Sequence, residues 1–123
     1  MTTMRTLLKL EQLALLGLAI LLFAQLPYAW WWYAVLFLAP DLGMLGYLGG
    51  PVAGAFTYNL LHHQGLAVLL YLAGTLWSLP LLMLIGTLML GHSAFDRVMG
   101  YGLKYPDAFK HTHLGWLGAP QTG

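Results

Sequence analysis

Four long apolar stretches constrain the fold of this chain more than any other feature of its sequence. They cover residues from about 7–26, 28–48, 52–72 and 80–98, and a helix of about 20 apolar residues crosses a bilayer core. Only 7% of the 123 residues are charged, whereas soluble domains carry about 25%. Lipid is therefore the expected solvent for most of the surface. The sequence predicts an all-α, multi-pass membrane protein, a four-helix transmembrane bundle that forms one domain over residues 1–123.

The basic residues predict the orientation of this bundle. All five lie either near the start of the first stretch or at and beyond the end of the fourth. They are Arg5, Lys9, Arg97, Lys104 and Lys110. Four spans return the chain to its starting side, and the positive-inside rule places that side in the cytoplasm. Both termini are therefore expected to be cytoplasmic. The N-terminus also resembles a signal peptide, but Glu11 inside the apolar run favours an uncleaved first span.

Polar side chains concentrate in the half of the predicted bundle that is nearer to the cytoplasm. The group comprises Glu11, Asp41, Asn59, His62, His63, His92 and Asp96. A helical rise of about 1.5 Å per residue places Asp41 and Asn59 about 10–12 Å deep, with the adjacent histidines at about 16–18 Å. Ionisable groups inside a membrane are expensive and usually functional. We therefore expect one polar cavity that opens towards the cytoplasm.

Several members of this group also have a purely structural explanation. Glu11 suits pairing with a basic residue at the inner interface. Asp41 follows Pro40, which interrupts a helix, so its carboxylate is able to cap a restarted helix. Asn59 and His63 lie four residues apart on one helix face, where hydrogen bonding to another helix is common. The sequence alone leaves these alternatives open.

His92 and Asp96 form the most specific pair in the group. Their spacing of one helical turn brings both side chains onto one face, where they could bind one metal ion or form a hydrogen-bonded dyad. The structural alternative has Asp96 and Arg97 anchoring the helix at the lipid headgroups, with His92 hydrogen-bonded to Asn59. We favour the functional interpretation because an unpaired charge at this depth is costly.

The polar tail, residues 99–123, is expected to fold back beneath the bundle on its cytoplasmic side. Gly100 and Gly102 allow a sharp turn directly after the fourth stretch. This turn would place Lys104 and His113 over the mouth of the cavity, although His113 is also explained as an exposed histidine. Arg97 and Lys104 are candidates for binding a phosphate or a lipid headgroup.

Five short motifs carry a resemblance to a known family. They are Leu10-Glu11, Ala39-Pro40-Asp41, Tyr58-Asn59-Leu60-Leu61-His62, the run over residues 95–105 and Thr112-His113-Leu114. In these motifs, and from about Leu10 to Leu114, the chain resembles a small bacterial integral-membrane family named domain of unknown function 4260. The resemblance implies a compact inner-membrane protein without an established activity. It singles out Glu11, Asp41, Asn59, His62, His92, Asp96, Arg97, Lys104 and His113, and implies that His63 is a bystander.

The first functional hypothesis is a metal-dependent hydrolase acting on a lipid or lipid-linked substrate. Imidazole nitrogen and carboxylate oxygen suit a zinc-like divalent ion. The candidate metal ligands are His62, His92, Asp96 and His113. A water on that ion would be the nucleophile, with Glu11 or Asp41 as its base. The candidate catalytic residues are Glu11, Asp41, Asn59, His92 and Asp96. More loosely, the pattern is similar to that of small membrane proteins labelled metal-dependent hydrolases.

The main alternative is a non-catalytic accessory subunit of a larger membrane complex, because short outer turns and many small residues suit packing against other subunits. Ion transport is a third hypothesis, but the outer half lacks a polar path. The net charge of +1 gives no basic surface for nucleic acid. The absence of cysteine excludes thiolate ligands and cysteine nucleophiles.

Overall fold

The computed structural model describes residues 3–106 and 111–116, and helices account for most of them. The elements are α1 (Thr3–Ala24), α2 (Trp30–Leu36), a 3-10 helix (Ala39–Gly49), α3 (Pro51–Leu61), α4 (Gln64–Leu76), α5 (Pro80–Val98), β1 (His111–Thr112) and β2 (Gly115–Trp116). Three segments are long and apolar enough to cross a membrane, namely Thr3–Ala24, Trp30–Gly49 and Pro80–Val98. These segments indicate a helical membrane protein, while α4 is apolar but shorter than the predicted span.

Helix α5 is the centre of the molecule. Helices α1 and α4 both pack along it, and its residues from Gly86 to Ala94 are all buried. Near the start of α5, Leu84 and Leu88 form an apolar cluster with Phe23 of α1 and Tyr33 of α2. The Tyr33 hydroxyl donates a hydrogen bond of 2.7 Å to the carbonyl of Thr87. This end of the bundle is thus held by apolar packing with one satisfied polar group.

The second predicted stretch contains a break at Pro40. Helix α2 ends at Leu36, and the chain continues as a 3-10 helix from Ala39. The Asp41 N–H donates to the Leu38 carbonyl at 3.0 Å, which is the tighter 3-10 pattern. In that pattern the Phe37 carbonyl would need an N–H from Pro40, and proline has none. The sequence therefore leaves one carbonyl on this segment available to a side chain.

The third predicted stretch is not the single helix expected over about 52–72. Helix α3 ends at Leu61 and α4 begins at Gln64, so the four-span count is not reproduced as predicted. Local hydrogen bonds stabilise the break, because both histidines at this point bond to the backbone. His62 Nδ1 lies 2.8 Å from the Tyr58 carbonyl, and His63 Nδ1 accepts from the Leu66 N–H at 2.9 Å, capping α4.

Two further parts of the chain extend from the helices around α5. One is the 3-10 helix with α3, and the other is the tail with β1 and β2. The 3-10 helix and α3 pack antiparallel against each other, with the Thr57 hydroxyl donating to the Gly43 carbonyl at 2.5 Å. The tail turns back after α5, and β1 pairs antiparallel with β2. Both the start of α1 and the end of α5 contribute to one pocket, so these two helix ends lie at the same end of the molecule.

Candidate metal centre

Two histidines and two aspartates meet where α5 passes the breaks in the other segments. Asp41 comes from the 3-10 helix, His62 from the end of α3, and His92 and Asp96 from successive turns of α5. One ligand atom from each residue lies within 4.8 Å of all the others. Both histidine side chains are nearly inaccessible, at 3% and 1% exposure. Residues from three separate segments thus form one compact acidic and imidazole cluster.

The proton positions on His92 follow from its neighbours. His92 Nδ1 lies 2.7 Å from the Phe37 carbonyl, the one that Pro40 leaves without a backbone donor. A carbonyl only accepts, so Nδ1 carries the proton and donates it. In a neutral ring, Nε2 then carries a lone pair. That atom lies 3.0 Å from Asp41 Oδ1 and 3.2 Å from Asp96 Oδ2.

His62 has the same arrangement. Its Nδ1 donates to the Tyr58 carbonyl, and the Tyr58 ring stacks on its ring at 3.8 Å between centroids and 10° between planes. The Nε2 atom therefore faces the cluster, 3.4 Å from Asp41 Oδ1 and 3.4 Å from Asp96 Oδ2. Among the described residues, this buried nitrogen makes no contact that meets hydrogen-bond geometry. It is close to two carboxylates without being bonded to either.

Two imidazole nitrogens and two carboxylate oxygens directed at one point are stabilised by positive charge between them. The charge could be shared protons on the rings or a bound cation. Histidines that bind metal commonly donate their other N–H to a backbone carbonyl or carboxylate, which fixes the ring and its tautomer. Both rings here do so through Nδ1. The donor set of imidazole nitrogen and carboxylate oxygen suits a divalent transition metal.

The cluster is accessible from one side. The Asp41 side chain is 40% exposed, whereas that of Asp96 is 15% exposed and both histidines are buried. Tyr58 borders the site, with its hydroxyl 3.4 Å from Asp96 Oδ2. The Lys104 ammonium lies 4.9 Å from the centroid of the Tyr58 ring. Burial lowers the pKa of Lys104, while the charges of Asp96 and Asp41 oppose that shift.

The other predicted site residues lie outside this cluster. Asn59 holds the tail, since its amide accepts from the Lys104 N–H at 2.6 Å and donates to the Lys104 carbonyl at 2.7 Å. His113 Nδ1 accepts from the Leu103 N–H at 2.7 Å, so that nitrogen is engaged within the tail. Glu11 and Arg97 line a separate pocket at the end of the molecule. Asn59 therefore positions Lys104 rather than entering the cluster itself.

Sequence reasoning missed three supporting roles. Tyr58 stacks on His62, and its carbonyl fixes the ring. His63 caps α4, a role that the run His62-His63-Gln64-Gly65 could have indicated, because polar residues and glycine often end a helix. Gln64 connects helices, accepting from Arg97 Nη1 at 2.9 Å. A lone glutamine inside an apolar stretch was the signal for this role.

The fold and the cluster together define a helical membrane protein with a buried pair of histidines and a pair of aspartates that could hold a metal ion. The family model described as domain of unknown function (DUF4260) matches residues 5–117. The chain belongs to this family, which confirms the resemblance seen in its motifs. No curated protein and no solved structure matches the chain significantly.

Proposed function

We propose that this chain is a membrane-embedded metalloprotein that hydrolyses a lipid or a lipid-linked substrate at the cluster of Asp41, His62, His92 and Asp96. The observation that supports it best is the convergence of two Nε2 lone pairs and two carboxylates within 4.8 Å. Both rings donate Nδ1–H to a backbone carbonyl, the arrangement that histidine ligands of metals commonly have.

The exposures of the four side chains suggest which of them would bind the metal and which would act as the base. His62, His92 and Asp96 are the three least exposed and would hold the ion, a set of two histidines and one carboxylate that occurs in catalytic zinc sites. Asp41 is 40% exposed and lies on the accessible side. A divalent metal, when bound, would supply Lewis acidity and lower the pKa of a nearby water. Asp41 would then accept the proton of the attacking water.

Lys104 would assist by binding the substrate. Its ammonium lies next to Tyr58 and is held there through the two backbone hydrogen bonds to Asn59. A buried cation near the cluster favours a substrate that carries a negative charge, such as a phosphate ester. Lys104 would orient that group towards the accessible side of the cluster.

The proposal includes the arrangement in the membrane. We propose four passes in chain order, formed by α1, by α2 with the 3-10 helix, by α4 and by α5. Helix α4, the third of these, is shorter than the other three. The two helix ends that meet at one end of the molecule carry Arg5, Lys9 and Arg97. The positive-inside rule would place that end in the cytoplasm of a bacterial inner membrane. The cluster would then be reached from the cytoplasmic half of the bilayer.

Adjacent histidines offer a matched experiment. His62→Gln should reduce the metal content of the purified protein from about one ion per chain to near zero, because a catalytic site has only three protein ligands. His63→Gln, the control, should retain the metal and lose only part of the α4 cap. Elemental analysis of both variants decides the point. Equal metal contents in the two variants, or none in the wild type, would refute the metal centre.

The role of Asp41 is separable from metal binding. Asp41→Asn should retain the metal and abolish hydrolysis of a phospholipid or lipid-linked phosphate, because an amide cannot accept the proton. Loss of the metal in this variant would instead make Asp41 a fourth ligand in a closed, structural site. Full activity in the variant would exclude Asp41 as the base.

A non-catalytic accessory subunit is the second candidate, and one observation favours it. An open apolar groove of about 820 Å³ lies at the break between α3 and α4, lined in part by Phe56, Leu60, Leu66 and Leu69. A helix of another membrane protein would fit such a groove. Isolation of the protein in a mild detergent as a stable complex, without hydrolase activity, would support this candidate over the first.

A further inference from the structure

A second polar pocket lies at the end of the molecule where α1 begins and α5 ends. Its volume is about 340 Å³, and the tail closes one side of it. Three of its lining residues are basic, namely Arg5, Lys9 and Arg97, and Glu11 is the acidic one. None of the four residues of the metal cluster lines this pocket. It is therefore a separate site with a net positive charge.

The arginine in this pocket is held in place before any ligand arrives. Arg97 Nη1 donates to Gln64 Oε1 at 2.9 Å, and Gln64 in turn donates to Gln12 Oε1. This chain of hydrogen bonds joins α5, α4 and α1. A guanidinium has five N–H donors and the bond to Gln64 uses one of them, so Arg97 can bind an anion with two parallel bonds. A fixed side chain loses less conformational freedom on binding.

The position of the pocket indicates the kind of anion. Its basic groups come from the ends of two apolar helices, where the headgroups of a bilayer would lie. Basic pockets between transmembrane helices on the cytoplasmic side bind anionic lipid headgroups. The lining also includes Leu8, and the adjacent Leu7 and Leu10 of α1 are exposed. This apolar surface could accommodate the acyl chains next to a bound headgroup.

We propose that this pocket binds the phosphoryl headgroup of one anionic phospholipid, which ties the start of α1 to the end of α5 and to the tail. The site does not depend on the metal centre, and it does not require hydrolysis. Arg97 would bind the phosphoryl oxygens, and Lys9 with Arg5 would add attraction from α1. Glu11 would weaken the binding by repulsion.

The full chain in lipid nanodiscs tests this proposal, with retained lipids counted by native mass spectrometry. The wild type should retain one phosphatidylglycerol more strongly than phosphatidylcholine. Lys9→Gln should weaken retention of phosphatidylglycerol about fivefold, the effect of one basic side chain near a membrane surface. Glu11→Gln should strengthen it, and Arg97→Lys should weaken it although the charge is unchanged, because the two-pronged contact is lost.

Controls distinguish the outcomes. The helix content and metal content of each variant should match the wild type, which shows that the fold and the metal centre are intact. Equal retention of the two lipids, or variants that all behave like the wild type, would overturn the proposal. Binding of inorganic phosphate alone as strongly as phosphatidylglycerol would overturn the assignment to a lipid and leave a soluble phosphate as the ligand.

Discussion

The two halves of α5 bury their side chains against different kinds of neighbour, apolar in the first half and polar in the second. The first half carries Leu84 and Leu88, which pack on Phe23 and Tyr33 in an apolar cluster. The second half carries His92 and Asp96, which meet polar side chains from two other segments. One continuous helix therefore joins a packing region to a site. Substitutions in the first half should affect stability, whereas those in the second should affect binding.

The largest expected effect separates these two halves directly. Asp96→Asn keeps the shape of the side chain but removes the negative charge, so metal affinity should fall at least about 100-fold, more than the loss of a residue that only orients a ligand. Leu84→Ala should lower stability by about 2–4 kcal/mol through its cavity and leave metal affinity unchanged. Metal titration and thermal unfolding of both variants provide the measurement. A similar loss of metal affinity in both variants would remove the distinction.

The next effect concerns the close contact between α4 and α5. A Cβ on Gly86 would lie 2.6 Å from the Ala67 carbonyl oxygen, too close for any real contact. Gly86→Ala should therefore destabilise the protein by about 1–3 kcal/mol, since backbone must move. Gly17→Ala is the matched control, because nothing lies within 4 Å of its added Cβ. That variant should gain up to about 1 kcal/mol from helix propensity, so the two unfolding temperatures should shift in opposite directions.

A smaller effect is expected where the tail meets α3. Asn59→Asp replaces the amide that donates to the Lys104 carbonyl with a second acceptor, while the N–H of Lys104 retains its partner. Losing this hydrogen bond should weaken the attachment of the tail to α3 by about 1 kcal/mol. The tail should then detach more often. Limited proteolysis after α5 should become faster. Unchanged proteolysis would show that other contacts hold the tail.

The smallest predicted effect is the pH dependence of the tail. Burial and the nearby Arg97 lower the pKa of His113 below its usual value of 6.5. The neutral ring accepts from the Leu103 N–H, so its stabilising contribution is complete above pH 6.5 and is lost as the pH falls through the lowered pKa. Hydrogen exchange at the Leu103 amide should become faster, relative to its intrinsic rate, between pH 7 and pH 5. The Lys104 amide, bonded to Asn59, is the internal control.

The sequence predicts the apolar segments and the residue types of the cluster. It predicts less well where the helices break and which way their side chains point. The count of residues along each stretch predicts an approximate depth, and Asp41, His62, His92 and Asp96 do come together in one cluster. Depth does not specify direction around the helix axis, so Asn59 was expected in the cluster although it binds the tail.

The break at the adjacent histidines was missed because the prediction rested on apolar content and not on the polar run His62-His63-Gln64-Gly65. Residues 52–72 are apolar enough for one helix. A hydrophobicity pattern does not show that His63 caps a new helix through its side chain. Nor does it predict that Pro40 leaves the Phe37 carbonyl for His92. The His63 cap is a local bond that competes with a continuous helix, whereas the bond between His92 and Phe37 forms only once α5 packs against this segment.

X-ray absorption at the metal edge tests the central claim most directly. On the metal-loaded protein, the account predicts a first shell of nitrogen and oxygen at about 2.0–2.2 Å for zinc, with the outer-shell scattering of two imidazole rings. His63→Gln protein should give the wild-type spectrum with both rings, whereas His62→Gln protein, which is expected to bind almost no metal, should show no such bound ion. A protein that binds no divalent metal, or a spectrum without imidazole scattering, would contradict the account.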